Sequence, residues 1–164
     1  MHSLNFGERD GKLSDRVRAI AEVMASGNFG AVASENIVQE MWEKWVFLAT
    51  LAACNCLMRG SVGDILASPG GRDFILGMLD ECSAVAAAEG HYPRGPFFER
   101  TRGMLTAEGS QATASMFRDI KVGAAVEADH VIGDLLARGD AAKVPVPKLR
   151  IAYTHLKVYE RQRT

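Results

Sequence analysis

Lys44 stands in Met41-Trp42-Glu43-Lys44-Trp45, at the start of a fourteen-residue stretch, Trp45 to Met58, that carries no charged side chain. A lysine at the mouth of such a stretch is partly stripped of water. Dehydration favours the neutral amine and lowers its pKa, which lets a lysine trade protons near neutral pH. The same position also suits a snorkelling lysine, with a buried stem and its ammonium in water. On a helix the face of Lys44 is shared with Phe47, Leu48, Leu51 and, eleven residues on, Asn55, roughly 16 Å further along the axis.

Glu127 precedes Val131 and Leu135 by four and eight residues, at the head of their apolar stripe. A carboxylate there needs a cationic or hydrogen-bonding partner; alternatively it is a helix-start carboxylate favoured by the macrodipole. Ser115, in Ala114-Ser115-Met116-Phe117-Arg118-Asp119, lacks the G-x-S-x-G frame of a nucleophile elbow, and a helix cap is the plainer reading. The histidines at positions 2, 91, 130 and 155 pair with neither Ser115 nor a cysteine, so a hydrolase triad has no support. Cys54, Cys56 and Cys82 show no metal-ligand spacing and read as small core residues of a reducing, cytoplasmic setting. No metal site is expected. Neither G-x-G-x-x-G nor a P-loop occurs, so no cofactor-binding residues are assigned.

The elements that must position these groups are mostly helices. Ser14 caps a helix through Val17, Ile20, Ala21 and Met24, flanked by two short apolar pieces, Leu4–Phe6 and Phe29–Val32, that suit strands. An isolated strand-helix-strand of this size is marginal and reads as the last piece of a larger sheet. Ser34 is expected to cap a long helix to about Met58, stopped by Gly60. Ser68-Pro69 opens the next, which ends at Gly90. Further helices are expected at about 97–107, 112–121 and 125–138, and Pro147 starts the last one. The fold class is all-α, a multi-helix bundle with a strand-helix-strand fragment at its N-terminus.

The totals agree. At 164 residues, 48% hydrophobic and 24% charged, the chain is globular and can bury a sizeable core. A net charge of -1 leaves no footprint for nucleic acid, and the basic tail from Lys148 to Arg163 reads as a solvated helix face. The uncharged run at 45–58 is shorter than the roughly 20 residues of a membrane span, and no secretion leader is visible.

Three segments together resemble the C-terminal domain of the ketopantoate reductase (2-dehydropantoate 2-reductase) family. They are Phe6-Gly7-Glu8-x-Asp10-Gly11, Trp42-Glu43-Lys44, and Glu127-x-Asp129-x-x-x-Gly133 followed by Val144-Pro-Val-Pro147. Ser115 lies twelve residues before Glu127, the family's spacing between its substrate-contacting serine and its glutamate. The resemblance implies a fold like the 6-phosphogluconate dehydrogenase C-terminal domain. Residues 1–33 would be the remnant of a nucleotide domain, and residues 34–164 the substrate and dimerisation domain. It also implies NADPH-dependent reduction of ketopantoate on the way to pantothenate and coenzyme A. Lys44 would be the general acid, Glu127 would orient it and help hold substrate, and Ser115 would bind substrate. Asn55 is a further candidate for substrate binding.

Two departures stand out. Leu48 and Ala52 occupy the positions, four and eight residues after the lysine, where better-known members carry asparagines, and Leu149 replaces a third. A site without those hydrogen bonds favours a more apolar 2-oxo acid or ketone. The family's Rossmann domain is also missing from these residues, so the chain is expected to be truncated and catalytically silent alone, unless a separate Rossmann protein completes it. Apolar surface left at that boundary favours a homodimer. The competing expectation is a stand-alone helical interaction module with a drifted site.

Overall fold

The computed structural model describes residues 3–163; His2 and Met1 lie outside them. The backbone divides into two compact units, residues 1–42 and 43–164.

In the first unit, β1 (Ser3–Phe6) and β2 (Gly30–Ala33) pair in parallel, from Ser3 opposite Gly30 to Phe6 opposite Ala33. Between them runs α1 (Asp15–Met24), capped as expected by Ser14, whose hydroxyl accepts from the Val17 amide at 3.2 Å. After β2 the Ser34 amide donates to the Phe6 carbonyl at 2.7 Å, extending the pairing by one bond. This closeness requires glycine after Phe6, because a Cβ on Gly7 would fall 2.1 Å from the Ser34 carbonyl oxygen. Glu40 accepts from the Ser34 hydroxyl and from the Asn5 amide, both at 2.7 Å, and holds the ends of both strands.

The long helix α2 spans Ile37–Met58. Ser34 is not its direct cap. The Ser34 hydroxyl accepts from Asn36, and Asn36 offers the first carbonyl to Glu40. From Ala49 to Cys56 every residue of α2 is buried. A helix apolar on all sides belongs at the centre of its unit. Burial pushes the Cys56 and Cys82 thiols up to about 12, and Cys54 higher still, which leaves all three as unreactive packing groups.

The second unit continues with α3 (Val62–Leu66), α4 (Gly71–Ala88), α5 (Gly95–Leu105), α6 (Ser115–Lys121), a π turn (Asp129–Gly133), α7 (Asp134–Ala141) and α8 (Pro147–Gln162). The helix α3 was not expected. Ser61 and Asp64 form a capping box that starts it. The helix expected at 125–138 is instead a π turn followed by α7. The α4 helix packs against α3, α5, α7 and α8. From α4, the nearly buried Glu81 accepts from the Lys148 and Leu149 amides at 3.2 and 2.9 Å. These are orphan donors at the start of α8, where a carboxylate is favoured by the helix dipole. The all-α bundle with its short β fragment is therefore as the sequence pattern and the resemblance implied. Among the described residues no helix is long and apolar enough to cross a membrane.

Candidate functional site

Lys44 sits on α2 and is exposed. The uncharged run does not cover its side chain, although Leu51 and Asn55, further along the same face, are buried. Its two neighbours are fixed instead. Glu43 is buried and accepts three hydrogen bonds from Arg94: Nε at 2.8 Å, Nη2 at 2.6 Å and the backbone amide at 2.9 Å. This fork geometry locks the rotation of α2 about its axis. Trp45 donates its indole N–H to the Val131 carbonyl at 2.9 Å, and the Arg138 guanidinium lies 5.7 Å from the ring centroid.

Val131 lies in the π turn, where the Asp134 amide reaches back to the Asp129 carbonyl. Such turns occur often at functional sites. The Val131 amide donates to the Glu127 carbonyl at 3.0 Å. The backbone one turn past Glu127 is thus bonded to the residue next to Lys44. The Glu127 side chain is exposed. Among the described residues no hydrogen bond or ion pair joins it to Lys44, so both side chains are open to a ligand.

Ser115 is the first residue of α6 rather than its cap, which is Ala114, and it is exposed. The Ala114 amide donates to Asn55 Oδ1 at 2.8 Å, while Asn55 Nδ2 donates to the Gly60 carbonyl at 2.8 Å. Asn55 is fully buried with both ends of its amide engaged. It reaches the candidate site by holding the segment in front of Ser115. The backbone tethers of Glu127 and Ser115 therefore lie at two levels of α2. Glu127 is tied to the level of Trp45, and Ser115 to the level of Asn55, roughly 15 Å further along α2. Between them Leu48 is 40% exposed. Of the three residues that depart from the family pattern, Leu48 alone faces outward. Ala52 and Leu149 are buried in the core.

The fork of Glu43 and Arg94 was missed in the sequence, although Glu43 adjoins Lys44; its partner is 51 residues away. A cleft of about 450 Å³ between the end of α2 and the start of α4, lined by Arg59, Asp64, Ser68 and Phe74, contains none of the site residues. No group of three or more metal-ligating side chains occurs among the described residues.

The chain is 29% identical over 163 residues to the uncharacterized oxidoreductase YkpB of Bacillus subtilis, covering 99% of this chain and 54% of that protein. It is 29% identical over 150 residues to a 2-dehydropantoate 2-reductase of Pyrobaculum aerophilum, covering 90% and 53%. A dimeric ketopantoate reductase from Staphylococcus aureus shares the fold, with a TM-score of 0.86 at 20% identity, over 100% of this chain and 55% of that one. The chain spans about half the length of the relatives it matches. The family described as "Ketopantoate reductase PanE/ApbA C terminal" matches residues 36–160, and to that family this chain belongs.

Proposed function

We propose that this chain is the substrate half of an NADPH-dependent reductase acting on ketopantoate or a related, more apolar 2-oxo acid or ketone. Residues 1–33 are the end of a nucleotide-binding domain, and residues 34–164 form the substrate and dimerisation domain. The observation that carries this reading is the Trp45–Val131 hydrogen bond, which ties the helix bearing Lys44 to the turn that follows Glu127.

Lys44 gives a proton to the substrate's carbonyl oxygen. Glu127 holds the substrate and orients the Lys44 ammonium once the ligand lies between them. Ser115 binds the substrate's far end, consistent with its place further along α2. The exposed Leu48 between them offers an apolar contact where a hydroxyl-bearing substrate would want a hydrogen bond.

The start of α1, which lies between the two strands, does not fit the nucleotide itself. A pyrophosphate needs open backbone amides at a helix start free of carboxylates. At α1 the start is closed by Ser14, whose hydroxyl donates to Glu8 at 2.7 Å, and Asp15 stands in the first turn. The hydride therefore belongs to a domain outside these residues, in the same polypeptide or in a partner.

The test follows NADPH oxidation with ketopantoate, and with a 2-oxo acid bearing a plain alkyl side chain. The chain alone is expected to be silent. Once a cognate nucleotide-binding domain is supplied, turnover appears, and Lys44→Ala lowers it by about 10²–10⁴-fold. Turnover by the isolated chain, or an unchanged rate in the variant, would overturn the reading.

A second reading, a helical interaction module with a drifted site, is favoured by the burial of Ala52 and Leu149 where the family pattern has asparagines. It expects Lys44→Ala to leave stability unchanged, whereas a functional site often gains stability when relieved.

A further inference from the structure

Residues 124–127 form neither helix nor strand, so the backbone carrying Glu127 needs support from elsewhere. The α8 helix grips it on both sides. Three residues before Glu127, the Ala124 carbonyl accepts from the Tyr159 hydroxyl at 2.7 Å. Two residues after it, Asp129 accepts from the Tyr153 hydroxyl at 2.6 Å and from the Lys157 ammonium at 3.0 and 3.1 Å.

The bare backbone at position 133 lets the Tyr153 ring lie close, and a side chain there would push the ring by a few tenths of an ångström. A Cβ on Gly133 would fall 3.0 Å from Tyr153 Cε2 and 3.3 Å from its hydroxyl oxygen. The ring lies across the π turn on the bare backbone of Gly133.

We infer that Tyr153, Asp129 and Gly133 act as one positioning device for Glu127, with Tyr159 as its second anchor. The spacing Glu127-x-Asp129-x-x-x-Gly133 then has a physical reason. Its first residue meets the substrate, its second takes the tyrosine's hydrogen bond, and its third makes room for the ring. The inference rests on the reading of Glu127 as a substrate-contacting group.

The test uses the 164-residue chain, with Tyr153→Phe, Gly133→Ala and the double variant. Amide hydrogen exchange and the ¹³C resonance of the Glu127 carboxylate are recorded for each. Loss of one hydrogen bond to a carboxylate is expected to speed exchange at residues 128–131 about tenfold. The Glu127 resonance should move, and exchange in α4 should stay as it was. The double variant should resemble Gly133→Ala alone, because both changes break the same contact. Additive effects, or a Tyr153→Phe chain whose exchange at 128–131 and Glu127 resonance match the wild type, would overturn the device. A parallel titration with ketopantoate separates the two claims. Binding that Glu127→Gln leaves untouched would defeat the role given to Glu127, while the exchange data still decide the role of Tyr153.

Discussion

The indole N–H of Trp45 donates to the carbonyl oxygen of Val131 at 2.9 Å, across 86 residues of sequence. The neighbours of both partners, Lys44 and Glu127, are the residues expected to do chemistry. This one bond thus ties the helix that carries Lys44 to the turn that follows Glu127.

Trp45→Phe should remove that bond while keeping most of the ring beneath Arg138. The net loss expected is about 1 kcal/mol. In a chain of this size that lowers the thermal midpoint by roughly 2–4 °C. Thermal unfolding followed by circular dichroism checks it, and an unchanged midpoint would show that the bond contributes nothing.

Arg94→Ala takes both guanidinium hydrogen bonds away from the buried Glu43 carboxylate. Removing one member of a buried pair costs about 3–5 kcal/mol. The Arg94 side chain is 50% exposed, so a loss below that range, about 2–3 kcal/mol, is expected here. Arg94→Lys keeps the charge but not the two-pronged geometry, and should fall between. Urea unfolding of the three proteins measures the order.

Asn55→Ala strips the Ala114 amide and the Gly60 carbonyl of their partner inside the core. The expected cost is about 2–4 kcal/mol. Because Ala114 precedes Ser115, the same change should weaken binding of a 2-oxo acid by more than Leu57→Ala, which leaves the Asn55–Ala114 hydrogen bond in place. Calorimetric titration of both variants with ketopantoate tests this.

The hydrogen bonds from Tyr153, and next those from Lys157, hold the Asp129 carboxyl below its ordinary value of 3.8. A lowered carboxyl stabilises the folded chain at all pH values above the ordinary one. That contribution fades as pH falls toward the folded value. The wild type should therefore be more stable than Asp129→Asn at neutral pH, and the two should converge in strong acid. Paired thermal midpoints across the acid range measure the gap, and a gap independent of pH would contradict the assignment.

What the sequence revealed was local. Ser14 as a cap, Pro147 as a helix start and the two short strands all follow from residue types within a few positions of one another. The box of Ser61 and Asp64 was equally local, and its S-x-x-D spacing announces α3. What stayed hidden depends on distant partners. Glu43 finds Arg94, Glu81 finds the start of α8, and Trp45 finds Val131, each across more than fifty residues. The roles proposed for Lys44, Ser115 and Glu127 rest on their order and spacing. Their exposure was not legible, because an uncharged run beside a lysine does not say which way the lysine points.

The π turn at 129–133 holds one residue of slack. Deleting a single residue there would let an ordinary α-helix close in its place. The short segment just before it, residues 124–128, would then swing by about 100° and draw in by about 1.5 Å. Trp45 would lose its carbonyl, and Glu127 would turn by the same angle about the helix axis.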